Sequence, residues 1–356
     1  MRATILTLAA WLGMLLQALA APPPTVTNAV DGIFDTFHTH PLVGLGEIHN
    51  WAQELDFYTV LLRDPRFARE VGNIVLEVGD AAQQETVDRY VNGESVPYTE
   101  LRRVWSDNVG WFPTVTPVGS INLYPVIREV NLKLPPQGRI KAWLGEPPIN
   151  WPEIKTKADW DPIEAKRDSY PTDLIIREIL SKNKKALVIY GTDHFGILPG
   201  KDNIRALLDR THPGAFFVVS PFVGYADERC GAQLGKFARR LAVPSLLTPV
   251  RGSSLEKDIY RQGCAAFIRP PGMAEAEYQA RIKNDIGLNG DALLYLGPRN
   301  RMMQGPQDPD AYLDLDYRAE LARRWELRLG KKPDLTSGDN LAPSDNPATT
   351  RSFWEH

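Results

Sequence analysis

Six short apolar runs punctuate the chain, each ending at Gly, Glu or Pro: PLVGLGE (41–47), GNIVLEVG (72–79), RIKAWLGE (139–146), KALVIYGT (185–192), GAFFVVSP (214–221) and DALLYLGP (291–298). All are too short for buried helices and are rich in β-branched or aromatic residues, so they read as strands buried on both faces. Between them the period changes. Trp51, Leu55, Tyr58 and Leu62 recur at spacings of four, three and four, which predicts a helix with Asn50 as its N-cap. Leu174, Ile175, Ile179 and Leu180 predict a helix over 173–180, and Asp202 is placed to cap another that uses Ile204, Leu207 and Leu208. Strands alternating with helices give an α/β fold with a mainly parallel central sheet and helices on both faces.

Residues 80–138 interrupt that alternation. AAQQETVDRYVNG starts as a helix and VWSDNVGWFPTVTPVGS follows, rich in Pro, Gly and aromatics. The segment is read as an insertion acting as pocket wall or lid. Residues 316–330 read as an amphipathic helix with Leu321, Trp325 and Leu329 on one side and four arginines forming a solvated face.

The termini set the boundaries. Residues 1–20 hold Arg2, an apolar run and Ala18-Leu19-Ala20, the pattern of a cleaved secretory signal. The run is short for a membrane span and has no basic stop-transfer flank, so no stable span remains after cleavage. Residues 21–333 form a single α/β domain, and 334–356, rich in Ser, Pro, Asn and Asp, form a disordered tail. The expected location is secreted or periplasmic. An oxidising compartment would allow a Cys230–Cys264 disulfide; the sequence leaves paired and unpaired forms open. The chain has 356 residues and a net charge of -3, with no basic cluster interleaved with aromatics, so nothing points to nucleic acid. A small-molecule or peptide substrate is expected instead.

In an open parallel sheet, ligands bind outside the carboxyl ends of the strands. Four of the six strands end there in acids or imidazoles: Gly46-Glu47-Ile48-His49, Glu77-Val78-Gly79-Asp80, Gly145-Glu146 and Gly191-Thr192-Asp193-His194. Two share the form G-x-x-H, in which glycine lets the backbone turn sharply and approach a ligand. Glu77 follows Ile74-Val75-Leu76, so it is partly buried and needs a partner: a histidine, a metal, or an arginine such as Arg167 or Arg103. Glu146 reads first as a cap for the Pro147-Pro148 turn. His38 and His40 have metal-ligand spacing but read as loop residues.

LVGLGEIHN, IVLEVGD and LVIYGTDHFG, with Ala165-Lys166-Arg167-Asp168 ahead of the late histidine strand, resemble the haem-binding-uptake/Tiki superfamily over roughly residues 40–300. That group includes ChaN-like haem-binding lipoproteins, TraB/Tiki-type metal-dependent proteases and the erythromycin esterases. The resemblance implies Glu47, His49, Glu77 and His194 as catalytic residues. Gly46, Asp80, Glu146, Arg167, Gly191 and Asp193 are secondary candidates. The chain departs from the esterase pattern at Asn50-Trp51, where a Gly-rich continuation would stand, and its leader has no lipobox cysteine.

Two hydrolytic schemes stay open. In one, His49 is a general base oriented by Glu47 or Glu77, with His194 stabilising the oxyanion or protonating the leaving group. In the other, His49, Glu77 and His194 hold Zn, Mn or Co, which activates water. The alternative is a ChaN-like haem binder without catalysis, its pocket walled by Trp105, Trp111, Phe112 and Tyr124 with a His or Tyr axial ligand. Convergence of several acids on one edge favours the hydrolase.

Overall fold

The computed structural model describes residues 22–110, 116–196, 202–222, 241–255, 274, 276, 290–297 and 301–331, Tyr312 by its backbone alone. The signal segment, the two cysteines, Trp111, Phe112 and the C-terminal tail all lie outside the described residues.

All six expected strands form. With two more they make one eight-stranded sheet: β1 (Thr25–Asn28), β2 (Leu42–Glu47), β3 (Asn73–Asp80), β4 (Lys141–Glu146), β5 (Ala186–Gly191), β6 (Phe216–Pro221), β7 (Ser245–Thr248) and β8 (Ala292–Tyr295), in the order β1-β7-β8-β6-β2-β5-β3-β4. The sheet is parallel from β8 to β4, whereas β7 runs antiparallel to β8 and to β1. The two strands that the sequence pattern did not announce, β1 and β7, are four residues each and lie at one side of the sheet. The central β2, β3 and β5 are buried at every position.

Six helices bear on the site: α1 (Ala52–Arg63), α2 (Gln84–Val91), α3 (Leu123–Asn131), α4 (Ser169–Glu178), α5 (Ile204–Thr211) and α6 (Leu315–Leu329). Side chains alternate across each strand. Leu45, Leu76, Leu187 and Ile189 therefore pack in one core with Leu55, Tyr58 and Leu62 of α1, Val87 of α2 and Ile127 of α3. Val75, Val188, Tyr190 and Val218 face the other way, onto Leu174 and Ile175 of α4 and Ile204 and Leu208 of α5.

Several local expectations need correction. Asn50 does not cap α1. It takes a left-handed conformation with φ 67°, a shape Asn tolerates better than most residues, and Trp51 occupies the N-cap position. The α5 cap is Asn203, whose side chain accepts from the Ala206 amide, while Asp202 pairs with Arg210. In the 80–138 segment, Trp105 and Tyr124 are buried in the first core, stacked with ring centroids 6.3 Å apart. The arginines of α6 are not a solvated face. Arg324 is buried, stacks on Trp151 and donates to Asp107 and the Ser106 carbonyl. Arg323 donates to the Ile154 carbonyl, and Arg328 donates to Glu164 and lies over Trp160. Leu329 is exposed instead.

Candidate functional site

The four strands that end in acids or imidazoles are neighbours in the sheet, in the order β2, β5, β3, β4. Sequence reasoning could see four strand ends; topology makes them one continuous edge. Glu47 pairs in register with Gly191. The β3–β4 register shifts between Leu76 and Asp80, and that irregularity carries Glu77. The 80–138 segment props it: Asn108 Nδ2 donates to the Glu77 carbonyl at 2.8 Å, and the Tyr124 hydroxyl donates to the Val78 carbonyl.

Glu77 sits at the centre of a buried charge network. Its Oε1 accepts from Arg167 Nη2 at 2.7 Å, its Oε2 accepts from the Gly191 amide at 2.6 Å, and His194 Nε2 lies 3.5 Å from Oε1. Arg167 also grips Glu146, with Nε 3.0 Å from both carboxylate oxygens and Nη2 2.9 Å from Oε1. Glu146 is therefore not a turn cap. Gly110 leaves room for this guanidinium, since a Cβ there would stand 2.3 Å from Nη2. His194 Nδ1 contacts Asp168 Oδ1 at 2.7 Å.

Opposing terms set the charges. Burial alone would raise the Glu77 pKa; the hydrogen bond to His194 and the charges of His194, His49 and Arg167 outweigh it and hold Glu77 far below the carboxylate range. Burial alone would lower the His194 pKa, but its bonds to Asp168 and Glu77, with their charges, push it up to about 10. His194 is thus an imidazolium at neutral pH, each nitrogen facing a carboxylate. Glu146 is raised by burial, against the pull of Arg167.

This arrangement has a consequence for stability. The folded His194 pKa lies above its ordinary 6.5, so its stabilisation is fully present below about pH 6.5 and lost as pH rises through about 10. Urea midpoints measured from pH 6 to pH 10 should fall across that window, and His194→Asn should flatten the fall. An unchanged slope in the variant would refute the charged-His194 assignment.

The second half of the site is a pair. His49 Nδ1 lies 3.6 Å from Glu47 Oε1; the imidazole is 51% exposed, the carboxyl 3%. Burial lowers the His49 pKa, but the Glu47 carboxyl beside it and the charge of Glu77 more than compensate, so the net shift is upward. The ring lies over Gly191, where a Cβ would come 2.7 Å from Cε1 and 2.8 Å from Nε2. Glycine is required here for close approach and not for a turn. Gly46 likewise lies within β2, where a Cβ would meet the Thr192 methyl at 3.0 Å; the turn falls at Asn50.

Of the secondary candidates, Arg167, Glu146 and Gly191 belong to this constellation. Asp80 is a buried cap, accepting from the Ala82 and Ile149 amides, with its pKa raised by burial to about 7. Asp193 is exposed. Arg103 pairs with Asp107, not Glu77. His38 and His40 lie on an exposed loop, as expected.

The expected metal set does not fit. Among the described residues no group of three or more His, Cys, Asp or Glu side chains could hold a metal ion. Glu77 is engaged by a guanidinium and an amide, and His194 carries a carboxylate at each ring nitrogen. The same contacts bar His194 as an axial haem ligand, which leaves His49 as the imidazole of this edge that faces solvent.

Sequence reasoning did not select Asp168, Asn108 or Glu54 as site residues. Glu54 had a signal. It falls three residues after Trp51 and four before Tyr58, on the apolar stripe of α1, where a carboxylate is out of place.

Fold and site together define an α/β protein with a mainly parallel sheet whose carboxyl edge carries a buried Glu/Arg/His network beside a half-exposed His49 backed by the buried Glu47. No family model matches the chain, and no curated protein matches it. Among solved structures it is similar to a succinoglycan biosynthesis protein, with 11% identity, 79% of this chain and 95% of that one covered, and a TM-score of 0.50. It is also similar to a Bacillus cereus protein (11%, 79% and 94%, TM-score 0.48). ChaN of Campylobacter jejuni, whose structure shows cofacial haem binding, matches at 11% identity over 58% of this chain and 92% of that one, with a TM-score of 0.31. At this identity the likeness is one of fold, and no activity carries over from it.

Proposed function

We propose that the protein is an exported hydrolase of ester or amide bonds in a small-molecule or peptide substrate, acting through histidine-activated water. The observation that carries this reading is the Glu47–His49 pair: a half-exposed imidazole backed by a buried carboxylate at the edge where four strand ends converge. Glu47 faces Nδ1 and favours the proton there, so Nε2 is the basic atom. His49 takes a proton from water, and the resulting imidazolium is stabilised by Glu47 and Glu77. Arg167 and protonated His194 lie behind the edge with their charges matched by Glu77, Glu146 and Asp168, so the network orders the edge without adding net charge beside His49. Export rests on the pattern of residues 1–20. Among the described residues no helix is long and apolar enough to cross a membrane.

The test is a panel of chromogenic acyl esters and anilides with the native protein and Glu47→Gln. Native kcat/KM should rise with pH through a His49 titration above 6.5. Glu47→Gln should move that midpoint down and lower turnover by roughly 10- to 100-fold. A parallel titration with hemin watches the Soret band. Absence of turnover across the panel, with a Soret shift that His49→Ala removes, would replace hydrolysis with haem binding through His49.

A further inference from the structure

A buried carboxyl lies behind the Glu47–His49 pair with no part in the scheme above. Glu54 of α1 is 1% exposed. Its Oε2 accepts from the Ile48 amide at 2.8 Å, and the Tyr58 hydroxyl lies 3.5 Å from the same oxygen. Ile48 stands between Glu47 and His49, so this bond fixes the peptide at which the chain leaves β2, between the two side chains. Beyond the end of β2 the chain turns through the left-handed Asn50, and Asn50 and Ala52 bond the backbone of Gly305 and Met303. The Ile48–Glu54 bond therefore holds the link between the last residue of β2 and that turn. Among the described residues, Oε1 of Glu47 and Oε1 of Glu54 are both buried without a hydrogen-bond partner.

We propose that Glu54 is a positioning residue for the Glu47–His49 pair: from inside the core it anchors the Ile48 amide and sets the geometry in which Glu47 meets His49. The proposal rests on the function proposed above only for its catalytic meaning; the geometric part stands alone. A carboxylate is a costly anchor at this depth. Burial, reinforced by the charge of Glu47, raises the Glu54 pKa well above its ordinary value and so favours the neutral acid. A neutral anchor accepts the Ile48 hydrogen bond without competing with Glu47 for the positive charge on His49. The arrangement divides two carboxyls between two tasks: Glu47 lies beside the imidazole and Glu54 holds the backbone.

This reading separates charge from reach. Glu54→Gln keeps a neutral acceptor of the same length. Glu54→Asp keeps the carboxyl and withdraws it by one methylene. Glu54→Ala removes the acceptor. The first readout is the His49 titration midpoint, followed by NMR of ¹³Cε1-labelled histidine and assigned with His49→Ala; it requires no substrate. Glu54→Gln should leave the midpoint at its native value, while Glu54→Asp and Glu54→Ala should drop it toward about 6.5. The second readout is turnover on the best substrate of the panel. Here Glu54→Asp and Glu54→Ala should lose roughly tenfold or more in kcat with little change in KM, and Glu54→Gln should restore it. A merely structural role would lower thermal stability without moving the midpoint. An unmoved His49 midpoint in folded Glu54→Asp would overturn the proposal, as would a Glu54→Gln midpoint as low as that of Asp. If Glu54→Ala does not fold, the Asp and Gln variants decide. A shifted midpoint with no turnover in any form would sink the hydrolase reading and leave the positioning role intact.

Discussion

His49→Ala should lower kcat/KM by roughly 10²- to 10⁴-fold, the range that separates general-base catalysis from its absence. The fold should survive, because the removed ring is half exposed and no core cavity opens. The cost falls on Glu47, which is 3% exposed and loses the imidazole beside it. Losing that contact carries a penalty of about 1 kcal/mol, or about one to two degrees in Tm for a chain of this size. The loss should appear in kcat more than in KM, since the proton moves in the transition state and the ring need not bind the substrate in the ground state. Kinetics and thermal melts on the same preparation separate the two effects. A variant with native turnover would remove His49 from the mechanism. A variant that melts tens of degrees lower would mean that the pair is structural.

The sequence pattern reached far into this fold for a definite reason. β2, β3 and β5 are buried on both faces, so their apolar runs are continuous and easy to see, and parallel strands of that kind carry their functional groups just past the last apolar residue. Glu47, His49, Glu77 and His194 were legible by that rule. What the pattern could not give was the partner of each. Whether Glu77 meets a metal or an arginine depends on where α4 delivers Arg167 and Asp168, which is a matter of layer packing and not of spacing in the chain. The glycines were seen but misread. Gly191 and Gly46 look like turn residues because they stand at strand ends, yet both are inside strands, and what they provide is space for His49 and Thr192. β1 and β7 escaped because four-residue strands carry too few positions to show a period. The arginines of α6 were misjudged for a related reason. A helical wheel reports which side a residue faces, but it does not reveal that Trp151, Trp160, Glu164 and Asp107 wait on that side.

Arg167→Met should be the most damaging substitution for stability, costing about 3–5 kcal/mol near neutral pH. The guanidinium is the shared counter-charge of Glu77 and Glu146, which are 3% and 0% exposed. Methionine fills much of the volume, so the loss is electrostatic and not a cavity effect. Glu77 keeps the Gly191 amide and His194, whereas Glu146 loses the guanidinium that accounts for all three of its side-chain hydrogen bonds among the described residues. Its pKa, already raised by burial, should rise further. The sign of the pH dependence follows from that. A carboxyl whose folded pKa exceeds its unfolded value costs nothing while both states are protonated, below about 4.5, and costs its full amount above the folded pKa. The deficit of Arg167→Met should therefore be small near pH 4.5 and grow steadily to pH 8, measured as the difference in urea unfolding free energy from native protein. Adding Glu146→Gln removes the stranded charge and should recover a large part of the loss at pH 8 while changing little at pH 4.5, the non-additivity expected of groups in direct contact. Equal deficits at the two pH values, or no recovery in the double variant, would show that Arg167 acts by packing and that Glu146 does not carry the charge assigned to it here.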